Sequence, residues 1–145
     1  MNLDEVILSW KTDCKIDKTE LGDESLRTIT LHGKYMEWYK KEKLKLINLQ
    51  VKLLPKLKIA KKEFYLLGPH EDTPEGWELP PQGKVIRPDI DGYLNADDDM
   101  IQMNLKVAVQ SEIVSLLLDI LKELQNRRWA VKNAVDFMKL ISGAS

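Results

Sequence analysis

The chain has 145 residues, of which 43% are hydrophobic and 31% charged, and its formal net charge is −1. That is enough apolar material for one core, with more charge than the roughly 25% of an average soluble domain, so a wholly disordered chain is excluded. A single cysteine, Cys14, excludes an internal disulfide and any cysteine-built metal site, and is expected to be a small buried hydrophobe.

The N-terminal residues Leu3, Val6, Ile7 and Trp10 repeat at helical spacing and predict a short first helix. The start MNLDEVILSW puts two acids before a very short apolar run, unlike a secretory signal. No apolar stretch approaches the ~20 residues of a membrane span, so a cytoplasmic location with no membrane partner is expected. Asp13 to Lys18 reads as a connection. Asp17 or Thr19 then caps a second helix whose first turn carries Glu20 to Glu24, acids that complement the positive end of a helix dipole.

From there the pattern stays helical to Leu67, with weak points at Gly33 and Pro55 and a stop at Gly68-Pro69. Proline removes one backbone bond and crowds the preceding turn, so the long helix is expected to be bent or divided at Pro55. Charge is concentrated here: residues 34–62 hold ten lysines against Glu37 and Glu42, a net of +8. On an ideal helix Lys34, Lys41, Lys45, Lys52 and Lys56 fall within a sector of about 60°, and Trp38 projects from that sector too. Tyr35, Tyr39, Leu46, Leu53, Leu57 and Phe64 form a separate apolar face. Cations interleaved with an aromatic suit single-stranded nucleic acid, in which every base offers a face to stack on and every nucleotide a charge.

Residues 69–95 hold five of the six prolines and three of the seven glycines. No regular element of any length is expected there, apart from a brief extended stretch at Lys84-Val-Ile-Arg. Residues 68–100 carry nine acids against Lys84 and Arg87, a net of −7. The acidic loop is a candidate competitor with nucleic acid for the basic helix. Asp97-Asp98-Asp99, with Asp89 and Asp91, matches no EF-hand spacing, so no metal site is expected.

Beyond Asn95, apolar residues at 103, 107, 114, 117, 121 and 124 step as a helix, with a gap at Gln110; the alternation from Ile101 to Val109 also suits a strand. Asn126-Arg-Arg-Trp reads as a turn into a last helix carrying Val131, Ala134, Val135, Met138 and Ile141. The expected fold is all-α: a short N-terminal helix, a long basic helix, a Pro/acid loop and a C-terminal helix pair. The whole is one domain, 1–145, organised as 1–68, 69–95 and 96–145. The C-terminal helices are apolar on more than one side, which implies self-association through Val114, Leu117, Leu118, Leu121, Leu124, Val131, Val135 and Met138.

Two histidines and one cysteine, without a Gly-rich phosphate loop, an HExxH or a nucleophile elbow, offer no catalytic machinery, so neither an enzyme nor a cofactor is expected. The rival reading to nucleic-acid binding is a structural or scaffold helical oligomer whose lysine face is merely solvated.

Several short stretches, in order, carry a resemblance: Ile16-Asp17-x-Thr19-x-Leu21 leading to Glu24, Leu31-His32-x-Lys34-Tyr35 with Glu42-Lys43 beyond, Lys61-Lys62-Glu63-Phe64-Tyr65, and Arg127-x3-Val131-Lys132. Together they resemble the UvsY family, the recombination mediators of T-even bacteriophages and their relatives. The resemblance implies binding of single-stranded DNA and assembly into a closed ring through the C-terminal helices. It also implies loading of a RecA-like recombinase onto strands covered by the phage single-stranded-DNA-binding protein, in recombination, repair and recombination-dependent replication. The family's basic DNA-contacting motif precedes paired aromatics, which assigns Lys58, Lys61 and Lys62 to DNA here. Ile59 interrupts that cationic pattern, and Pro55 and the long Pro/acid loop also depart from it.

Overall fold

The structure is a computed structural model and describes residues 1–143, so the last two residues of the expected 96–145 segment lie outside it. All regular elements among the described residues are helical: α1 (Leu3–Asp13), α2 (Leu21–Asn48), a π-helical segment (Leu49–Leu53), α3 (Leu54–Leu67), a 3₁₀ turn (Arg87–Asp89), α4 (Ile90–Ala96) and α5 (Asp98–Ile141). None of the helices is long and apolar enough to cross a membrane. Residues 101–109 are helical, which decides between the two readings of that stretch.

Local chemistry sets most boundaries. Asn2 caps α1 by accepting the Glu5 N–H at 2.8 Å, while the Glu5 carboxylate accepts the Asn2 N–H at 3.3 Å, a reciprocal capping box. Cys14 ends α1 and is exposed rather than buried. Asp17 does not cap α2; its carboxylate accepts the Thr19 N–H and hydroxyl at 2.9 and 2.6 Å, a local turn ahead of the helix. At the far end of α3, Gly68 takes φ 86°, a left-handed conformation that glycine adopts without strain, and its N–H bonds the Phe64 carbonyl.

Pro55 divides the long helix as its chemistry requires. The ring removes the N–H that would bond the carbonyl of residue 51, and the chain answers with a widened turn over Leu49–Leu53 before Pro55 enters the first turn of α3.

The described residues fall into two units, 1–44 with 109–143, and 45–108. The first is built on Val6, Leu31, Tyr35, Ile113, Leu117, Ile120, Leu121 and Leu124, with Trp10, Met36, Trp38 and Tyr39 packed around them. Fully burying an aliphatic side chain of this size contributes about 1.5–3 kcal/mol. The C-terminal residues expected to serve self-association divide between this core and the surface. Leu117, Leu121 and Leu124 are consumed by the chain's own α1 and α2, and Val114 and Val131 are also buried. Val135 is half-buried, while Leu118 and Met138 are exposed, as are Phe137, Leu140 and Ile141.

The turn expected at Asn126-Arg-Arg-Trp is absent, because α5 runs through it. No glycine or proline breaks the helix there, and Arg127 faces inward in the same stripe as Ile120, Leu124 and Val131. Its guanidinium donates to the Glu24 carboxylate and to the carbonyls of Asp13 (2.8 Å) and Lys15 (3.1 Å). Burial pushes the Glu24 carboxyl up, but the Asp17 backbone N–H and the two arginines outweigh it and hold the group below its ordinary value. The gap at Gln110 has a similar origin: its amide donates to the Glu42 carboxylate at 2.7 Å and carbonyl at 2.9 Å. A polar residue therefore continues the buried stripe.

In the second unit Phe64, Tyr65, Val85, Ile90 and Leu94 are buried together, with Leu66, Trp77, Leu79 and Tyr93 around them. Residues 69–95 thus contain a regular element, contrary to expectation. Ile90 and Leu94, one turn apart on α4, are buried in this cluster, although Gly92 and two acids obscure the pattern in sequence. Val85 is tied to α3 by its N–H on the Tyr65 carbonyl at 2.9 Å, but Lys84–Arg87 forms no strand.

Candidate nucleic-acid interface

The nine cationic and aromatic positions expected to contact DNA separate into distinct environments. Lys52 on the π-helical segment and Lys56, Lys58 and Lys62 on α3 are exposed, and none makes a salt bridge among the described residues. These four ammonium groups in the second unit are available to phosphates. Lys45 is exposed too but has an interaction partner. The 100° step behind the projected row fails across Leu49–Leu53, since a π turn adds a residue to the helix.

Of the nine positions, the two lysines in the first unit, Lys34 and Lys41, are engaged. Lys34 donates to the Asp13 carboxylate at 2.7 Å and to Ser9 Oγ at 2.9 Å, and its Nζ lies 4.7 Å from the centroid of Trp38. Burial raises the Asp13 carboxyl, but hydrogen bonds from Lys34, Tyr35 and Ser9 prevail and leave it below the ordinary value. Trp38 is half-buried against Tyr35, edge to face with centroids 5.2 Å apart, so its ring serves the core. Lys41 is well exposed and pairs with Glu37 at 2.9 Å, a contact of the kind that solvent screens to little net value.

Lys61 is not on the surface at all. It is 4% exposed, with Nζ 3.1 Å from Asp97, 2.8 Å from Asp99 and 3.9 Å from the centroid of Trp77. Tyr65 donates its hydroxyl to the same Asp97 oxygen at 2.7 Å. Burial works against the Asp97 carboxylate, but Tyr65, the Met100 N–H and Lys61 stabilise it, so its pKa falls below the ordinary value. Two of the three consecutive acids, Asp97 and Asp99, therefore serve α3.

Sequence reasoning missed Arg87. It lies in a segment counted as acidic, yet with Lys62 and the acid Glu63 it borders a recess of about 530 Å³ lined by Ile59, Leu66, Leu67, Val85 and Ile86. Ile59, Leu67 and Ile86 are exposed, so apolar surface adjoins free cations here, the combination that stacked bases and phosphates require. The available signal was the position of Arg87 two residues after Val85, which anchors the segment to α3.

Comparison with known proteins adds three findings. A family profile described as "Recombination, repair and ssDNA binding protein UvsY" matches residues 9–144. Crystal structures of the bacteriophage T4 recombination mediator protein UvsY share the fold. One lattice form gives a TM-score of 0.78 at 18% identity over 98% of each chain, and another gives 0.79 at 17% identity over 97% of this chain and 98% of that one. Comparison with curated proteins gives no match.

Proposed function

The chain belongs to the UvsY family of recombination, repair and single-stranded-DNA-binding proteins, and from that premise we propose that it is a recombination mediator. It binds single-stranded DNA, assembles into a closed ring, and promotes loading of a RecA-like recombinase onto strands covered by single-stranded-DNA-binding protein.

The observation that carries this reading is the set of exposed lysines without salt bridges at 52, 56, 58 and 62, next to the recess that Arg87 borders. Surfaces shaped by solubility alone mix the two signs more evenly, whereas here Glu63 is the one acid lining the recess and it makes no salt bridge with these cations among the described residues. Assembly is supported by the exposed Phe137, Met138, Leu140 and Ile141 at the end of α5, apolar surface that the first unit does not cover. A ring would multiply the lysine sets, so a strand held by one protomer meets its neighbours at high effective concentration.

The test is fluorescence anisotropy with a labelled single-stranded oligonucleotide and its duplex across a salt series. Four phosphate contacts per protomer predict a slope of log K on log[salt] of roughly −3. The K52E/K58E/K62E variant should lose most of that slope and most of the affinity. No binding of the wild-type protein at low salt would sink the reading and leave a structural oligomer with a solvated lysine face.

A further inference from the structure

Of the four tryptophans, Trp10, Trp38 and Trp77 are committed to packing, Trp10 and Trp38 in the first unit's core and Trp77 over Lys61 in the second. Trp129 is different. It lies on α5 with 61% of its surface exposed, although the buried stripe of the same helix, Leu124, Arg127 and Val131, passes immediately beside it. An indole is a costly group to leave in water, and the fold gives this one no packing partner in either apolar cluster.

Its neighbours are cationic. Lys132 Nζ stands 5.3 Å from the indole centroid, and Arg128 precedes the tryptophan in sequence. Gln125, Arg128, Trp129 and Lys132 together line a recess of about 280 Å³. Neither Arg128 nor Lys132 makes a salt bridge among the described residues, and Asp136, one turn further on, pairs with neither. Arg127, by contrast, is neutralised inside the unit by Glu24. A planar aromatic ring beside two cations that have no acidic partner among the described residues matches a nucleotide: the ring offers a stacking surface to a base, and the cations meet its flanking phosphates.

We propose that Arg128, Trp129 and Lys132 form a further subsite for single-stranded nucleic acid, in which Trp129 stacks on a base. The subsite lies in the first unit, separate from the lysines of the π-helical segment and α3. It rests on the single-strand reading above and adds to it a base-stacking contact that those lysines lack.

Intrinsic tryptophan fluorescence tests this directly, because Trp129 is the one strongly exposed indole among the four. Titration of the full chain with oligo-dT should quench emission, and the W129F variant should bind with most of that quenching gone. W129A should weaken binding roughly tenfold, while the R128E/K132E variant should reduce the magnitude of the salt slope by about 1.4. Circular dichroism should leave all three variants folded, since the side chains are exposed.

Wild-type binding without quenching, with W129A at full affinity, would overturn the subsite and leave the lysine reading standing. A W129A protein whose oligomeric state changes by sedimentation while binding per subunit stays constant would overturn it in favour of a contact between copies. Absence of any wild-type binding at low salt would overturn both readings together.

Discussion

Lys61 Nζ lies 3.1 Å from Asp97 Oδ2 inside the second unit, while Lys58 and Lys62 on the same helix face solvent. Three lysines within five residues thus have two different tasks. Exchanging Lys61 for methionine leaves Asp97 without its ammonium and removes the cation under Trp77. Breaking a buried pair costs about 3–5 kcal/mol, and the solvated position of Asp99 brings the expected loss nearer to about 2–3 kcal/mol. Urea unfolding of K61M should show that loss, with single-strand affinity per folded molecule little changed. K62E should behave in the opposite way, and a K61M protein as stable as the wild type would contradict the assignment.

Self-association and folding draw on separate residues of α5. L117A empties a fully buried site and should lower the free energy of unfolding by about 2–5 kcal/mol. M138D and L140D, both on exposed positions, should leave helicity intact and shift the sedimentation profile toward smaller species. If those two variants keep the wild-type profile, the end of α5 is not the contact between copies.

Acid should destabilise the protein in a defined window. Asp13, Glu24 and Asp97 are each pushed up by burial and lowered further by their hydrogen-bond and charge partners, so all three lie below their ordinary values of 3.8, 4.5 and 3.8. The unfolded chain therefore takes up protons first as pH falls. The stability these groups contribute is complete above about pH 4.5 and is lost progressively below it. Melting temperature should be level from pH 7 to about 5 and drop toward pH 3, and D97N should drop less steeply. A level profile down to pH 3 would contradict the role of these carboxylates.

The acidic loop can be tested by charge alone. Trp77, Leu79 and Val85 pack in the second unit's cluster, so removing residues 71–92 would destroy that unit and say nothing about competition with DNA. Glu71, Asp72, Glu75 and Glu78 are all exposed, and changing them to amides leaves the packing in place. If the loop competes with nucleic acid, the fourfold variant should bind single strands more tightly at low salt and converge with the wild type at high salt. Identical affinities at low salt would remove the loop from the mechanism.

Legibility in the sequence followed periodicity and ended at polar residues that face inward. The all-α class, the helix stop at Gly68 and the division near Pro55 were readable because each has a local cause. Arg127 and Gln110 misled for one reason: each continues a buried stripe, and the partner that permits it, Glu24 or Glu42, is far away in the chain. Lys61 was equally hidden, since nothing in its neighbours distinguishes it from Lys58 or Lys62 until Asp97 and Trp77 are placed beside it. The excess of apolar surface on the C-terminal helix was visible, but its owner was not. Most of it belongs to α1 and α2 of the same chain.

The π-helical turn at Leu49–Leu53 amounts to an α-helix that has accepted one residue too many. Each side keeps its own phase, and the surplus is absorbed where Pro55 already forbids a regular bond. Such a turn is an intolerant place for a one-residue deletion. Loss of Gln50 would rotate everything beyond it by about 100° relative to Lys45–Asn48. Lys61 would keep its carboxylates, since Asp97 and Asp99 lie beyond the turn as well, but Lys45–Asn48 would lose its register with the rest of its own unit. Length here is under tighter constraint than residue identity, and natural variants of this segment should accept substitutions far more readily than insertions or deletions.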